Sequence, residues 1–380
     1  MARLMWIFES VLRRGPWMLG FVLLVLLFAG CESGRFYHQA VSGQLGLLAR
    51  RQSIQEMLQH EGLQPALRSK LQRVNEIRAF AAQELHLPVT DAYTHFVALD
   101  RPYVVWNVAV CPEFDLGPKS WWYPVVGRLE HRGYFREKSG LRYARKMRRR
   151  GYDVAVGGVI GYSTLGWFND PVLSSFTNLG DVELAELLFH ELSHQLFFVR
   201  GDTDFNEAFA VAVAEFGVQR WLLSQGRLAE LEIYLREIVA RDAFMELIRD
   251  LRQRLKRAYR ECERLGESLV ERRARKEACL TWFREAFHCQ AREYPGFADF
   301  KSWVDGPINN ARLSVLDTYY RLLPAFRQRL LSSVSLREYY DEIRQLGQRS
   351  ALEREQILTD DLGWESRGKH EKEKGVIEDN

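Results

Sequence analysis

The chain has 380 residues, 53 Lys plus Arg against 50 Asp plus Glu for a net charge of +3, and 47% hydrophobic residues. A charge so balanced gives no reason to propose nucleic acid as a partner, and the apolar content excludes a disordered chain. The length allows one large domain or two ordinary ones, with ample core.

At the N-terminus Arg3, Arg13 and Arg14 precede an apolar run, WMLGFVLLVLLFAG, that ends at Cys31. The run is about right for a signal-peptide core and short for a membrane span. Ala29 and Gly30 directly before the cysteine resemble a bacterial lipobox, although Phe28 stands where Leu is usual. The resemblance implies cleavage of residues 1–30 and lipidation of Cys31; an uncleaved anchor helix is the alternative. Either way the remaining chain is expected on a membrane, facing the periplasm of a bacterial envelope. Glu32 after the cysteine resembles lipoproteins of the outer membrane. The other cysteines, Cys111, Cys262, Cys279 and Cys289, could form up to two bridges in an oxidising compartment, and none shows the CxxC spacing of a metal site.

From about residue 35 to 87, apolar residues recur every three or four positions (Leu45, Leu48, Ile54, Leu58), which predicts helix. Between residues 94 and 126 the texture turns to strand in HFVAL, YVVWNVAVC and WWYPVVG. A helix is predicted over about 135–150, ended by Gly151 and carrying RYARKMRRR. That basic run admits a nucleic-acid or lipid-headgroup reading, and we read it as a solvated helix face. YDVAVGGVIGY then predicts a strand, followed by a loop, STLGWFNDP. Helix is expected again from Asp181 to about residue 199, and from about residue 206 to Gly347, before a loose polar tail over 366–380.

The chemistry concentrates in FHELSHQ, where His190 and His194 lie four apart on one helical face and can address a single ion. Neutral imidazoles suit zinc, and Glu191 can take the proton of a water placed beside them. Acids at Asp181, Glu183 and Glu186 suit the positive end of this helix. Thirteen residues after His194, Glu207 opens a second helix in FNEAFAVAVAEFG, whose alanines allow close packing; it is our choice of third ligand. Asp202 and Asp204 are rivals, and Glu215 is turned off the face. Phe197 and Arg200 stand where a metzincin continuation would need Gly and His.

VVGRLEHRGYF, GVIGYSTLGWFNDP, FHELSHQ, GDTDFNEAFA and INNARLSVLDTYYRLLPAF together resemble a bacterial family of predicted zinc aminopeptidases, membrane lipoproteins with a gluzincin-type motif. The likeness runs from about residue 34 to 346. It implies zinc on His190, His194 and Glu207, Glu191 as general base and acid, a peptide substrate and a zincin-like metallopeptidase fold. The position four residues after the third ligand is Val211 where better-understood gluzincins carry an acid. A partner for a ligand would then come from Asp202, Asp204 or a backbone carbonyl. The Gly-rich segment GGVIGYSTLG occupies the place from which related enzymes present a glutamate to the substrate amine, and it has no acid.

Lesser candidates are Tyr162, as a donor to the oxyanion, and Gly158, where an extended peptide could add to the strand by backbone hydrogen bonds. Arg312 is read as a brace, His131 and His288 as ordinary histidines, and Trp121 and Trp122 as core. The expected fold is α+β and mostly helical, a small mixed sheet (94–162) against two metal-bearing helices, with extra C-terminal helices. One catalytic unit over 31–365 is expected, in three parts (31–93, 94–225 and 226–365). The competing readings are an endopeptidase, and a non-catalytic lipoprotein that binds or scaffolds.

Overall fold

The computed structural model describes residues 32–89, 91–123, 127–161 and 169–360. The leader, Cys31, Tyr162 and the 366–380 tail lie outside them.

The fold is α+β and predominantly helical. Helical periodicity over 35–87 resolves into three helices, α1 (Glu32–Leu48), α2 (Ile54–Gln59) and α3 (Pro65–Gln83). Ser53 ends the short strand β1 (Gln52–Ser53) and caps α2 by accepting from the Glu56 N–H; Pro65 opens α3, where its missing N–H costs nothing. α3 buries Leu71, Val74, Ile77 and Ala81.

The strands form three small sheets. β1 pairs antiparallel with β2 (His95–Val97), which pairs parallel with β8 (Val172–Leu173). The principal sheet has order β6-β3-β7 and is wholly antiparallel, with β3 (Val105–Pro112) central, β6 (His131–Tyr134) on one side and β7 (Tyr152–Val159) at the other edge. β4 (Trp121–Tyr123) and β5 (Gly127–Leu129) make a separate pair. Between β6 and β7, α4 (Glu137–Arg148) buries Gly140, Tyr143, Ala144 and Met147 and ends as expected, with Gly151 at φ +80°.

After β8 the chain is helical: α5 (Asp181–Leu196), α6 (Thr203–Ser224), α7 (Leu228–Leu265), α8 (Leu269–Gln290), α9 (Lys301–Asp305), α10 (Asn310–Tyr320), α11 (Leu323–Ser332), α12 (Leu336–Gly347) and α13 (Ala351–Asp360). α6 carries apolar residues around most of its circumference and buries most of its length, with Arg220 and Leu223 exposed near its end. Around it lies the largest core, joining Leu71, Leu188, Phe209, Trp221, Phe326 and Tyr339. A second core gathers α7, α8 and α9 about Phe244, Phe283 and Phe297, and a third seats α4 on the main sheet through Val108, Tyr143 and Val154.

The four described cysteines are free rather than bridged: Cys111 and Cys262 are buried, Cys289 is exposed. Trp122, expected in the core, is 59% exposed. Arg312 braces as expected, donating to the Pro307 carbonyl at 2.8 Å above the Trp303 ring.

Small residues bring α5 and α6 together. Ala208, Ala210, Ala212 and Ala214 are all buried, and a Cβ at Gly217 would lie 2.7 Å from both the Phe189 ring and Leu85. Gly217→Ala should therefore destabilise the fold by about 1–3 kcal/mol in urea denaturation. Gly46→Ala, on α1 with open space beside it, should be neutral or slightly stabilising.

Candidate metal centre

α5 starts with Asp181 and Glu183 in its first turn, and the Glu183 carboxylate accepts from the Gly180 N–H at 2.5 Å. Three turns later it presents His190 and His194, their rings edge to face at 4.8 Å. The chain reverses over residues 197–202. Asn206 closes that reversal by accepting from the Val199 N–H and donating to the Val199 carbonyl, both at 2.8 Å. Asp202 caps α6 by accepting from the Phe205 N–H and is held by Arg354 of α13 at 2.6 Å. One residue past Asn206, Glu207 faces the histidines.

The three side chains converge. His190 Nε2 lies 3.2 Å from His194 Nε2 and 3.2 Å from Glu207 Oε2, and His194 Nε2 lies 3.7 Å from the same oxygen. Donors bound at about 2.0–2.1 Å to a tetrahedral ion sit about 3.3 Å from one another, so these spacings fit one cation. No other such group of His, Cys, Asp or Glu occurs among the described residues. Burial alone would raise the Glu207 pKa, but the two imidazoles hold its carboxyl well below the usual carboxylate range.

Glu191, next to His190 in the same helix, is 7% exposed. Burial, opposed by His190 and reinforced by the charges of Glu207 and Asp170, pushes its carboxyl up to about 7. Its Oε2 and the His194 Nδ1 are buried with no hydrogen-bond partner. Buried carboxylate oxygens are rarely left so, and an orphan beside three convergent donors marks a place for a polar guest.

The rivals are occupied elsewhere. Asp202 pairs with Arg354, Asp204 with Arg321 at 2.7 Å, and Glu215 with both Arg241 and Arg327 at 2.6 Å. Asp202 and Asp204 thus serve arginines and not the histidines. Gly158 sits in β7 opposite Trp106, with the Tyr103 ring where a Cβ would stand; Gly161, just past that strand, approaches Leu187 of α5.

Three residues near the centre escaped the sequence reading. The Tyr319 ring, on α10, stacks on His190 at 6.3 Å, and the charge of Glu207, then burial, then Glu191 raise its pKa well above that of a free phenol. Its hydroxyl makes no hydrogen bond among the described residues. His131, read as ordinary, feels the charge of Glu207, while burial holds its pKa below the usual imidazole value. Tyr93 is buried in the left-handed region at φ +59°, its hydroxyl unpartnered and electrostatically coupled to Glu191.

Two histidines from one helix turn and a glutamate from the next helix form a group that could hold a metal ion, within an HExxH sequence. The chain belongs to the protein family described as "Putative aminopeptidase", whose sequence profile matches residues 35–358. No curated protein and no solved structure matches the chain.

Because Asn206 engages both the N–H and the carbonyl of Val199, Asn206→Ala should cost about 1–3 kcal/mol in urea denaturation. Moving Glu207 relative to the histidines should also weaken uptake of a divalent metal about tenfold or more, read by competition with a chromogenic chelator.

Proposed function

We propose that the chain is a zinc-dependent peptidase of zincin-like fold, held at the bacterial envelope by a lipid on Cys31 and removing residues from peptide N-termini. The observation that carries this reading is the convergence of His190 Nε2, His194 Nε2 and Glu207 Oε2 beside the unpaired carboxylate of Glu191. Family membership supports peptide hydrolysis, and two imidazoles with one carboxylate suit zinc better than an oxygen-seeking cation.

Zinc bound there polarises a peptide carbonyl and makes a water acidic. Every other part falls to the chain. His190 and His194, four apart on one rigid helix, fix two donors without loop entropy. Glu191, with a pKa near neutrality, takes the proton of the attacking water and passes it to the departing amine. Tyr319, stacked on His190 with its hydroxyl free, donates a hydrogen bond to the oxygen that gains charge. The substrate lies extended along β7, the edge strand, where open space beside Gly157 allows a backbone to come close.

An endopeptidase is the second reading, favoured by the lack of any acid in residues 157–161, where an amine would need one. A pure scaffold has no use for an unpaired buried carboxylate, which would only destabilise it.

The full chain should contain one zinc, and chelation should abolish cleavage of a mixed peptide pool. Glu191→Gln should retain the metal while lowering kcat about 10²–10⁴-fold. Tyr319→Phe should lower kcat about 10²-fold with KM little changed. Mass spectrometry of the products should show single N-terminal residues; internal fragments instead would establish the endopeptidase. Cleavage indifferent to Glu191→Gln would remove the proposal. For the anchor, Cys31→Ser should shift the chain from the membrane fraction to the soluble one if lipid alone holds it, measured by fractionation of expressing cells.

A further inference from the structure

Away from the metal centre, an open cavity of about 330 Å³ lies between α4 and the strands, lined by Lys119, Arg132 and Arg150 with Trp121, Tyr143 and Tyr152. Three cations converge there and no acid lines it. Arg132 is only 7% exposed. Its guanidinium lies 4.2 Å from the Phe36 ring, 5.2 Å from Tyr143 and 5.9 Å from Trp121, and it bonds to the Tyr123 hydroxyl. Its Nε is buried without a partner, and no carboxylate pairs with it among the described residues. Aromatic faces offset part of the cost of burying that charge. Lys119 and Arg150 add to the cost, since like charges at the same opening repel. A cavity built this way is short of an anion.

The surface around the cavity has a matching character. Between Glu137 and Asp153 the chain carries seven cations and no acid, and Lys138, Arg142, Arg145, Arg149 and Arg150 are exposed. On the adjoining helix α1, Tyr37, Val41 and Leu45 are exposed at spacings of four, a stripe of apolar side chains facing water. Tyr37 donates to the carbonyl of the exposed Trp122 at 3.5 Å, which joins that stripe to the strand that carries Trp121. Phe36, which covers Arg132, lies five residues after Cys31 in the sequence, so the whole patch sits where the apolar N-terminal segment enters the fold.

We propose that this face rests on an anionic membrane, with the phosphodiester headgroup of one anionic phospholipid bound in the cavity by Arg132, Lys119 and Arg150. The argument for a lipid over other anions rests on the N-terminal reading given above; the argument for the anion itself does not. Basic side chains supply attraction to acidic headgroups, while Tyr37 and Trp122 suit the boundary between headgroups and acyl chains. The basic run of α4, read from sequence as a solvated face, gains a partner.

The test uses the full chain in neutral detergent, titrated calorimetrically with dihexanoyl phosphatidylglycerol, dihexanoyl phosphatidylcholine and inorganic phosphate. These short lipids are soluble probes, so the result does not depend on whether Cys31 is lipidated. Phosphatidylglycerol should bind saturably and about tenfold or more tighter than phosphatidylcholine. Lys119→Gln/Arg150→Gln, which alters two exposed side chains outside the metal centre, should weaken it about tenfold or more while peptide cleavage is unchanged. Inorganic phosphate binding as tightly as phosphatidylglycerol would overturn the lipid assignment in favour of a soluble phosphate ligand. Absence of saturable binding, or binding indifferent to the double variant, would overturn the site.

Discussion

The close contact of α5 with α6 is the constraint on which the rest of the structure depends. Two imidazoles on one helix can meet a carboxylate on another only if the two backbones approach to the limit set by small side chains. Gly217 against Phe189 sets that approach. The reversal between the helices then fixes their relative slide, through paired hydrogen bonds between Asn206 and Val199. The surrounding apolar packing has the further effect of lowering the local dielectric, so each charge placed there is felt strongly by its neighbours. That is why Glu191 and Glu207, both carboxylates in the same interior, are driven in opposite directions: one lacks a partner and the other faces two.

The handling of buried charge elsewhere in the chain gives this contrast its meaning. Glu215 is held by Arg241 and Arg327, Asp153 by Lys276, and Asp202 by Arg354. Each pair ties together different elements, most of them far apart in sequence, and in each the desolvation of one ion is offset by the other. Asn310 plays the neutral counterpart, donating to the carbonyls of Pro112, Glu113 and Asp115 and accepting from Tyr259. Glu191 and Arg132 depart from that pattern: each keeps a buried polar atom without a hydrogen-bond partner among the described residues, as Tyr93 and His194 also do. The two lie at different places and carry opposite charges.

How much of this was legible in the sequence depended on the range over which each feature is encoded. His190, Glu191 and His194 form a local pattern on one helix, and Glu207 needed only a short reversal and an alanine-rich partner, so these residues could be named without coordinates. The strand texture of β3 and β7 and the stop at Gly151 were equally local. Periodicity was less reliable where short helices follow one another: residues 35–87 keep the same spacing through α1, α2 and α3, although α1 buries Phe36 in the third core and the others face the largest one, so the breaks between them left no mark. Tyr319 is more than a hundred residues from His190 and lies in a helix without a distinct apolar face, and nothing in its neighbours signals that its ring stacks on a histidine. His131, read from sequence as an ordinary histidine, and Arg132 belong to a four-residue strand whose burial comes from α1 and α4, and nothing local in the sequence marks either. Asp202 and Asp204 were weighed as ligands because they stand near the motif; their arginines come from α13 and α10–α11, which only the tertiary fold brings to them.

The bond between Asp202 and Arg354 links the first turn of α6 to the last described helix. Translation supplies the histidines and Glu207 well before α13, so a growing chain holds all three donors while the cap of the second helix still lacks its cation. The start of α6 is therefore completed only once α13 has been made, and a chain cut before α13 lacks the cation that holds Asp202.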